Sequence, residues 1–216
     1  MKKLFSLLLC LCLLFCCCGC GAKSDAPAQP EQEASAPAAE PPVREPVQEP
    51  VQEPVAFSPD FVFSTTDRDG NTWDESVFAE HELTMINFWE PWCGPCVGEM
   101  PDLQDLYAAY ADRGLLILGV YATEGMEDDV DAVLERAGVQ YPILHHCSAF
   151  DEFDSGYVPT TIFVDREGHV IDRELTQYER DALADVIQAL GEEKTSKLYV
   201  GSMSYEGWAA VIEGLL

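Results

Sequence analysis

Two nearly unbroken apolar runs, Leu83-Thr84-Met85-Ile86-Asn87-Phe88-Trp89 and Leu115-Leu116-Ile117-Leu118-Gly119-Val120-Tyr121, flank a segment of quite different periodicity. Runs without polar alternation predict strands covered on both faces of a sheet. Between them, from Gly94 to Arg113, Cys96, Met100, Leu103, Tyr107 and Tyr110 recur at helical spacing and define one inward face. Pro101 removes a helix hydrogen bond and predicts a kink about a turn after the start. Strand, helix and strand in this order predict a right-handed parallel unit.

The flanking pattern extends that unit. Phe61–Ser64 and Asn71–Trp73 bracket Asp67-Arg68-Asp69-Gly70, a turn signal, so an N-terminal β-hairpin is expected. A short helix is expected over Asp74–His81, with Ser76 as its cap. Glu127–Ala137 reads as a second helix stopped by Gly138. Tyr141–Leu144 reads as a short edge strand and Ser148–Asp154 as a short helix. Thr160–Asp165, a turn at Arg166-Glu167-Gly168, and His169–Leu175 predict an antiparallel hairpin. An amphipathic helix is expected over Tyr178–Leu190. Leu198–Gly201 and the apolar positions Trp208, Val211, Ile212 and Leu215 then predict one extra strand and a closing helix.

The first 56 residues follow other rules. Lys2 and Lys3 precede an apolar run from Leu4 to Cys18, too short for a comfortable membrane span and built like a signal peptide over residues 1–20. The ending Cys17-Cys18-Gly19-Cys20 resembles a bacterial lipoprotein signal, which implies cleavage before Cys20 and a lipid on that residue. Residues 21–56 are dominated by Ala, Pro, Glu and Gln, with Glu45-Pro46-Val47-Gln48 repeated at Glu49–Gln52. Proline at every fourth position forbids helix and favours a semi-rigid polyproline II spacer. At about 3.1 Å per residue it could reach on the order of 100 Å. The expected organisation is thus signal, linker, and one domain over residues 57–216.

The charge narrows the partners. Twelve Lys and Arg stand against 39 Asp and Glu, a formal net charge of -27 across 216 residues. Nucleic-acid binding needs a basic surface and is excluded. Six of the nine cysteines lie within the first twenty residues, and Cys93, Cys96 and Cys147 alone remain beyond them, too few for a disulfide framework.

Two of those three make a motif. Trp92-Cys93-Gly94-Pro95-Cys96 follows a predicted strand and opens a predicted helix. A thiol at a helix N-terminus faces unpaired N–H groups and the positive dipole end, which lowers its pKa and supplies the reactive thiolate. The second thiol, one turn on, is placed to attack a mixed disulfide formed by the first. Cys-x-x-Cys in a βαβ context points to redox chemistry. Half a zinc site would need a second pair at regular spacing, and none is present. His145-His146-Cys147 invites a metal reading too, but consecutive strand residues point alternately and cannot share one ion. A loop carrying a half-buried thiol is expected there instead.

Asn87-Phe88-Trp89, the motif through Glu99 and Pro101, and Val158-Pro159-Thr160-Thr161 together resemble the TlpA-like, ResA-like branch of the thioredoxin superfamily. The resemblance covers about residues 58–190 and extends to the closing helix. It implies an α/β thioredoxin-like fold, a central mixed sheet flanked by helices, with the hairpin and the C-terminal strand and helix as additions. It further implies that Cys93 is the exposed nucleophile, Cys96 the resolving thiol, and Pro159 a cis proline packed against the pair. Trp92 and Val158 would edge the substrate groove, Val158 offering its backbone to an extended chain. Where thioredoxin proper carries a buried acid, this chain has Asn87, so Glu99 is the expected proton acceptor for Cys96. The chain departs from the family at Glu90-Pro91, where a negative charge close to Cys93 would raise its thiol pKa.

The resemblance implies a membrane-tethered, extracytoplasmic protein-disulfide reductase that acts on exported proteins, is re-reduced by a membrane donor, and needs no cofactor. A metal-binding or redox-sensing module using the same cysteines without turnover is the alternative. A thiol peroxidase is disfavoured, because Trp89 or Glu90 stands near where its Pro-x-x-x-Thr-x-x-Cys pattern requires threonine.

Overall fold

The computed structural model describes residues 57–216; the expected signal, linker and Cys20 lipidation site lie outside the described residues. Five strands form the central sheet: β3 (Leu83–Phe88), β4 (Leu115–Tyr121), β5 (Ile143–His145), β6 (Thr160–Asp165) and β7 (Tyr199–Val200). Their order is β5-β4-β3-β6-β7, and β1 (Ser64–Thr66) and β2 (Thr72–Asp74) form the separate N-terminal hairpin. β3 runs parallel to β4 and antiparallel to β6, so the sheet is mixed, as expected.

Alternation in the two central strands divides the core. Leu83, Met85, Leu115, Ile117 and Tyr121 face one side, where α1 (Gly94–Tyr110), α2 (Glu127–Ala137) and α6 (Tyr205–Leu215) pack. Ile86, Leu116, Leu118 and Val120 face the other, against an aromatic cluster of Phe61, Phe63, Phe78, Phe150 and Phe153. α1 continues without interruption through Pro101. Leu106 is fully buried on its inward face, whereas the expected Tyr107 is only half-buried. Gly138 adopts φ 68° and closes α2, as the sequence required.

Several expectations need correction. Pairing in the first hairpin begins at Ser64, because Phe61 and Phe63 are drawn into the aromatic cluster. The cap of the 3₁₀ turn Glu75–Glu80 is Asp74, whose carboxylate accepts from Ser76 N. The hairpin expected after β6 reduces to one bridge, Val164 with Val170. The reason is competition: β7 occupies the β6 edge, pairing Thr160 with Val200 and Thr161 with Tyr199. Arg173 instead donates its N–H to Ser196 O and lays its guanidinium 4.3 Å from the centre of the Tyr199 ring. The helix expected over Tyr178–Leu190 divides at Leu183 into α3 (Gln177–Ala182) and α4 (Ala184–Leu190), followed by the short α5 (Glu192–Thr195). No glycine or proline marks that break.

Candidate active site

Cys93 caps α1, and Cys93 and Cys96 form a disulfide. Pro95 fits the first turn because its missing N–H would find no helical acceptor there. The Cys96 N–H points back at Cys93 Sγ over 3.2 Å, an arrangement that favours negative charge on that sulfur once the bond is reduced. Cys93 is less exposed than expected: it shows 5% of its surface against 1% for Cys96. Trp92, 63% exposed, projects beside it.

Opposite the sulfurs, the Val158–Pro159 peptide is cis, and Val158 O lies 3.5 Å from Cys93 Sγ. Gly201 N–H donates to Pro159 O, so β7 supports this loop from behind. Pro159 leads directly into β6, and the motif follows β3; antiparallel pairing of these two strands brings the loop and the cysteines to one end of the sheet.

Below the motif lies Glu99, buried to 3% exposure. Asn87 Nδ2 donates to Glu99 Oε1 over 3.1 Å, while Met203 N–H and the Trp208 indole N–H both donate to Oε2 over 3.2 Å. Asn87 also donates to Thr161 Oγ1, its partner across the β3–β6 pair. Burial raises the Glu99 pKa above the ordinary carboxyl value, outweighing the three hydrogen bonds that favour its charge; Asp102 nearby adds to the rise. Tyr141 stands in the same core, its hydroxyl pKa raised by burial and by the Glu99 carboxylate. Gly119 makes room here: a Cβ would lie 2.7 Å from Ile143 Cδ1 and 3.2 Å from both Trp89 Nε1 and Tyr141 Cε2.

Glu90 has a different surrounding from the one its charge suggested. Its buried carboxylate accepts from Ala122 N, Thr123 N and Thr123 Oγ1, which ties it to the loop after β4. Trp92 Nε1 donates to the same threonine hydroxyl. Glu90 thus fastens the turn before Cys93 to the loop after β4.

The structure therefore brings Trp92, Cys93, Cys96, Glu99, Val158 and Pro159 to one region. Of the residues around them, Trp208, Met203 and Tyr141 were not marked as site residues by the sequence. Trp208 is 109 residues from Glu99, and on a helix face it reads as an ordinary core residue. The three neighbours His145, His146 and Cys147 take separate surroundings: Tyr121, Phe150 and the second core respectively. Among the described residues no group of three or more His, Cys, Asp or Glu side chains is gathered to hold a metal.

Residues 57–173 match the AhpC/TSA family, more than half of the chain. The chain belongs to the AhpC/TSA family. Among similar curated proteins, thiol-disulfide oxidoreductase ResA of Oceanobacillus iheyensis is 38% identical over 93 residues, covering 42% of this chain and 48% of that protein. ResA of Geobacillus thermodenitrificans is 34% identical over 122 residues, covering 52% and 64%. The chain thus spans about half to two-thirds of the length of these curated relatives. Their similarity agrees with the TlpA-like, ResA-like resemblance. The solution structure of a putative thioredoxin from Neisseria meningitidis has the same fold, with a TM-score of 0.53, 20% identity, and coverage of 71% of this chain and 87% of that one.

Proposed function

We propose that this AhpC/TSA family member is an extracytoplasmic thiol–disulfide oxidoreductase that reduces disulfides in exported proteins. The observation that carries the reading is the Cys93–Cys96 pair at the start of α1, facing the Val158 carbonyl and backed by the buried carboxyl of Glu99. ResA relatives named as thiol-disulfide oxidoreductases support it.

The reaction starts from the dithiol. The Cys93 thiolate attacks one sulfur of the substrate disulfide, forms a mixed disulfide, and expels the other substrate sulfur as a thiolate. Glu99 accepts the Cys96 proton, and the resulting thiolate attacks Cys93 Sγ. The mixed disulfide breaks, the second substrate thiolate leaves, and Cys93–Cys96 is oxidised. Two electrons have passed to the substrate, which takes up two protons; a membrane thiol donor restores the dithiol. Val158 holds the substrate chain by its backbone beside Cys93, and cis Pro159 shapes that edge. The peroxidase chemistry known in the wider superfamily is disfavoured here, because glutamate rather than threonine stands three residues before Cys93.

The extracytoplasmic assignment rests on residues 1–56, with Cys20 as the lipidated residue and the Pro-rich stretch as spacer. The test of the chemistry is the Cys96→Ala variant with a model disulfide peptide. It should accumulate a mixed disulfide on Cys93 detectable by intact mass, while Cys93→Ala forms none and the wild type reduces insulin. Tight stoichiometric copper or zinc on the pair, with no disulfide reduction by the wild type, would overturn the reading.

A further inference from the structure

A cleft of about 260 Å³ opens beside the cysteines and shares Val158 with them. Its lining mixes polar and apolar groups: Phe88, Tyr157 and Val158 present apolar surface, and behind them Phe88 packs on Phe150 at 5.6 Å and on Phe153 at 6.2 Å, centre to centre. Its rim is acidic. Asp151 and Asp154 are exposed there, on and just after the 3₁₀ turn Ser148–Phe153, and Glu90 lies below with its carboxylate already engaged. His146 faces Asp151 at 3.4 Å, and among the described residues no lysine or arginine lines the cleft.

This combination suits one kind of side chain. Lysine and arginine lay an aliphatic stem along apolar surface while the charged head stays wet. Here the stem would lie on the accessible apolar surface of Phe88, Tyr157 and Val158. The head would reach Asp151 and Asp154. A carboxylate-bearing side chain would meet the like charges of Asp151 and Asp154 at the rim. Because Val158 both touches Cys93 and lines the cleft, the occupant belongs close in sequence to the cysteine under attack.

We propose that the cleft is a subsite for a lysine or arginine adjacent to the disulfide-bonded cysteine of the protein substrate. The inference rests on the disulfide-exchange reading above and names the substrate class that it takes. In steady-state reduction, disulfide-linked peptides identical except for Arg, Gln or Glu flanking the cysteine would be compared at low ionic strength. The Arg peptide should exceed the Gln peptide in kcat/KM by about fivefold, the size expected of exposed ion pairs, with the Glu peptide slowest.

The chain's overall negative charge attracts any cationic peptide, so the control must separate the cleft from the whole molecule. Asp151→Asn with Asp154→Asn should bring the Arg-to-Gln ratio close to one. Asp128→Asn with Asp129→Asn, the same charge change on the exposed start of α2, should leave the ratio near the wild-type value. Equal ratios in both double variants, or no Arg preference in the wild type, would overturn the subsite while leaving the oxidoreductase reading intact. Failure to reduce any of the three peptides would overturn both.

Discussion

The carboxyl of Glu99 is held where its charge is costly, and that cost is the source of its proposed use. Burial raises its pKa above the ordinary 4.5, so the folded protein retains this proton at a pH where the unfolded chain has lost it. The contribution to stability is therefore complete below about pH 4.5 and declines as pH rises through the window up to the folded value. Glu99→Gln abolishes that slope. The stability of the variant relative to wild type, from urea unfolding at pH 4 and pH 7, should improve towards pH 7. The same substitution removes the proposed acceptor for the Cys96 proton and should slow resolution of the mixed disulfide by about 10²-fold. It should also move the cysteine pKa values. An unchanged thiol titration would remove Glu99 from the proton path.

At the scale of elements, α6 is what turns a helical glutamate into a buried site. It brings Trp208 over Glu99 and is tied to α1 again where Tyr205 N–H donates to Asp102 and the Tyr110 hydroxyl to Glu213. Trp208 is fully buried, so Trp208→Ala should cost about 3–5 kcal/mol. Tyr178→Ala, at an 81% exposed position, should change stability by less than about 0.5 kcal/mol in the same urea titration.

The strands β3 and β4, the helix between them and the Gly138 stop were legible because each rests on a local period or a glycine with positive φ. The hairpin after β6 was misread because two segments compete for one sheet edge, and only the folded chain decides which wins. The cysteine pair, Glu99 and Pro159 were singled out by spacing and resemblance, and the fold gathers them in one region. The near-complete burial of Cys93, the fastening of Glu90 to Thr123, and the donors that surround Glu99 depend on contacts far apart in the chain.

At the scale of the whole molecule, 39 acidic residues against 12 basic ones set a field that favours cationic partners and repels anionic ones. On that field the proposed subsite beside Val158 adds a local preference, and the motif bears on the proposed direction of electron flow. Gly94-Pro95 between the cysteines is the dipeptide of thioredoxin, whose potential of about -270 mV lies far below the -120 mV or so of a strong oxidant such as DsbA. A reductant outside the cytoplasm would act against the oxidising surroundings in which disulfides persist, and so depends on its donor. The most direct test is the reduction potential of Cys93–Cys96, measured by equilibration in thiol–disulfide buffers with the two states separated by thiol alkylation and mass. A value near -270 mV is predicted; a value above about -180 mV, in the range of disulfide isomerases, would contradict the assignment as a reductase.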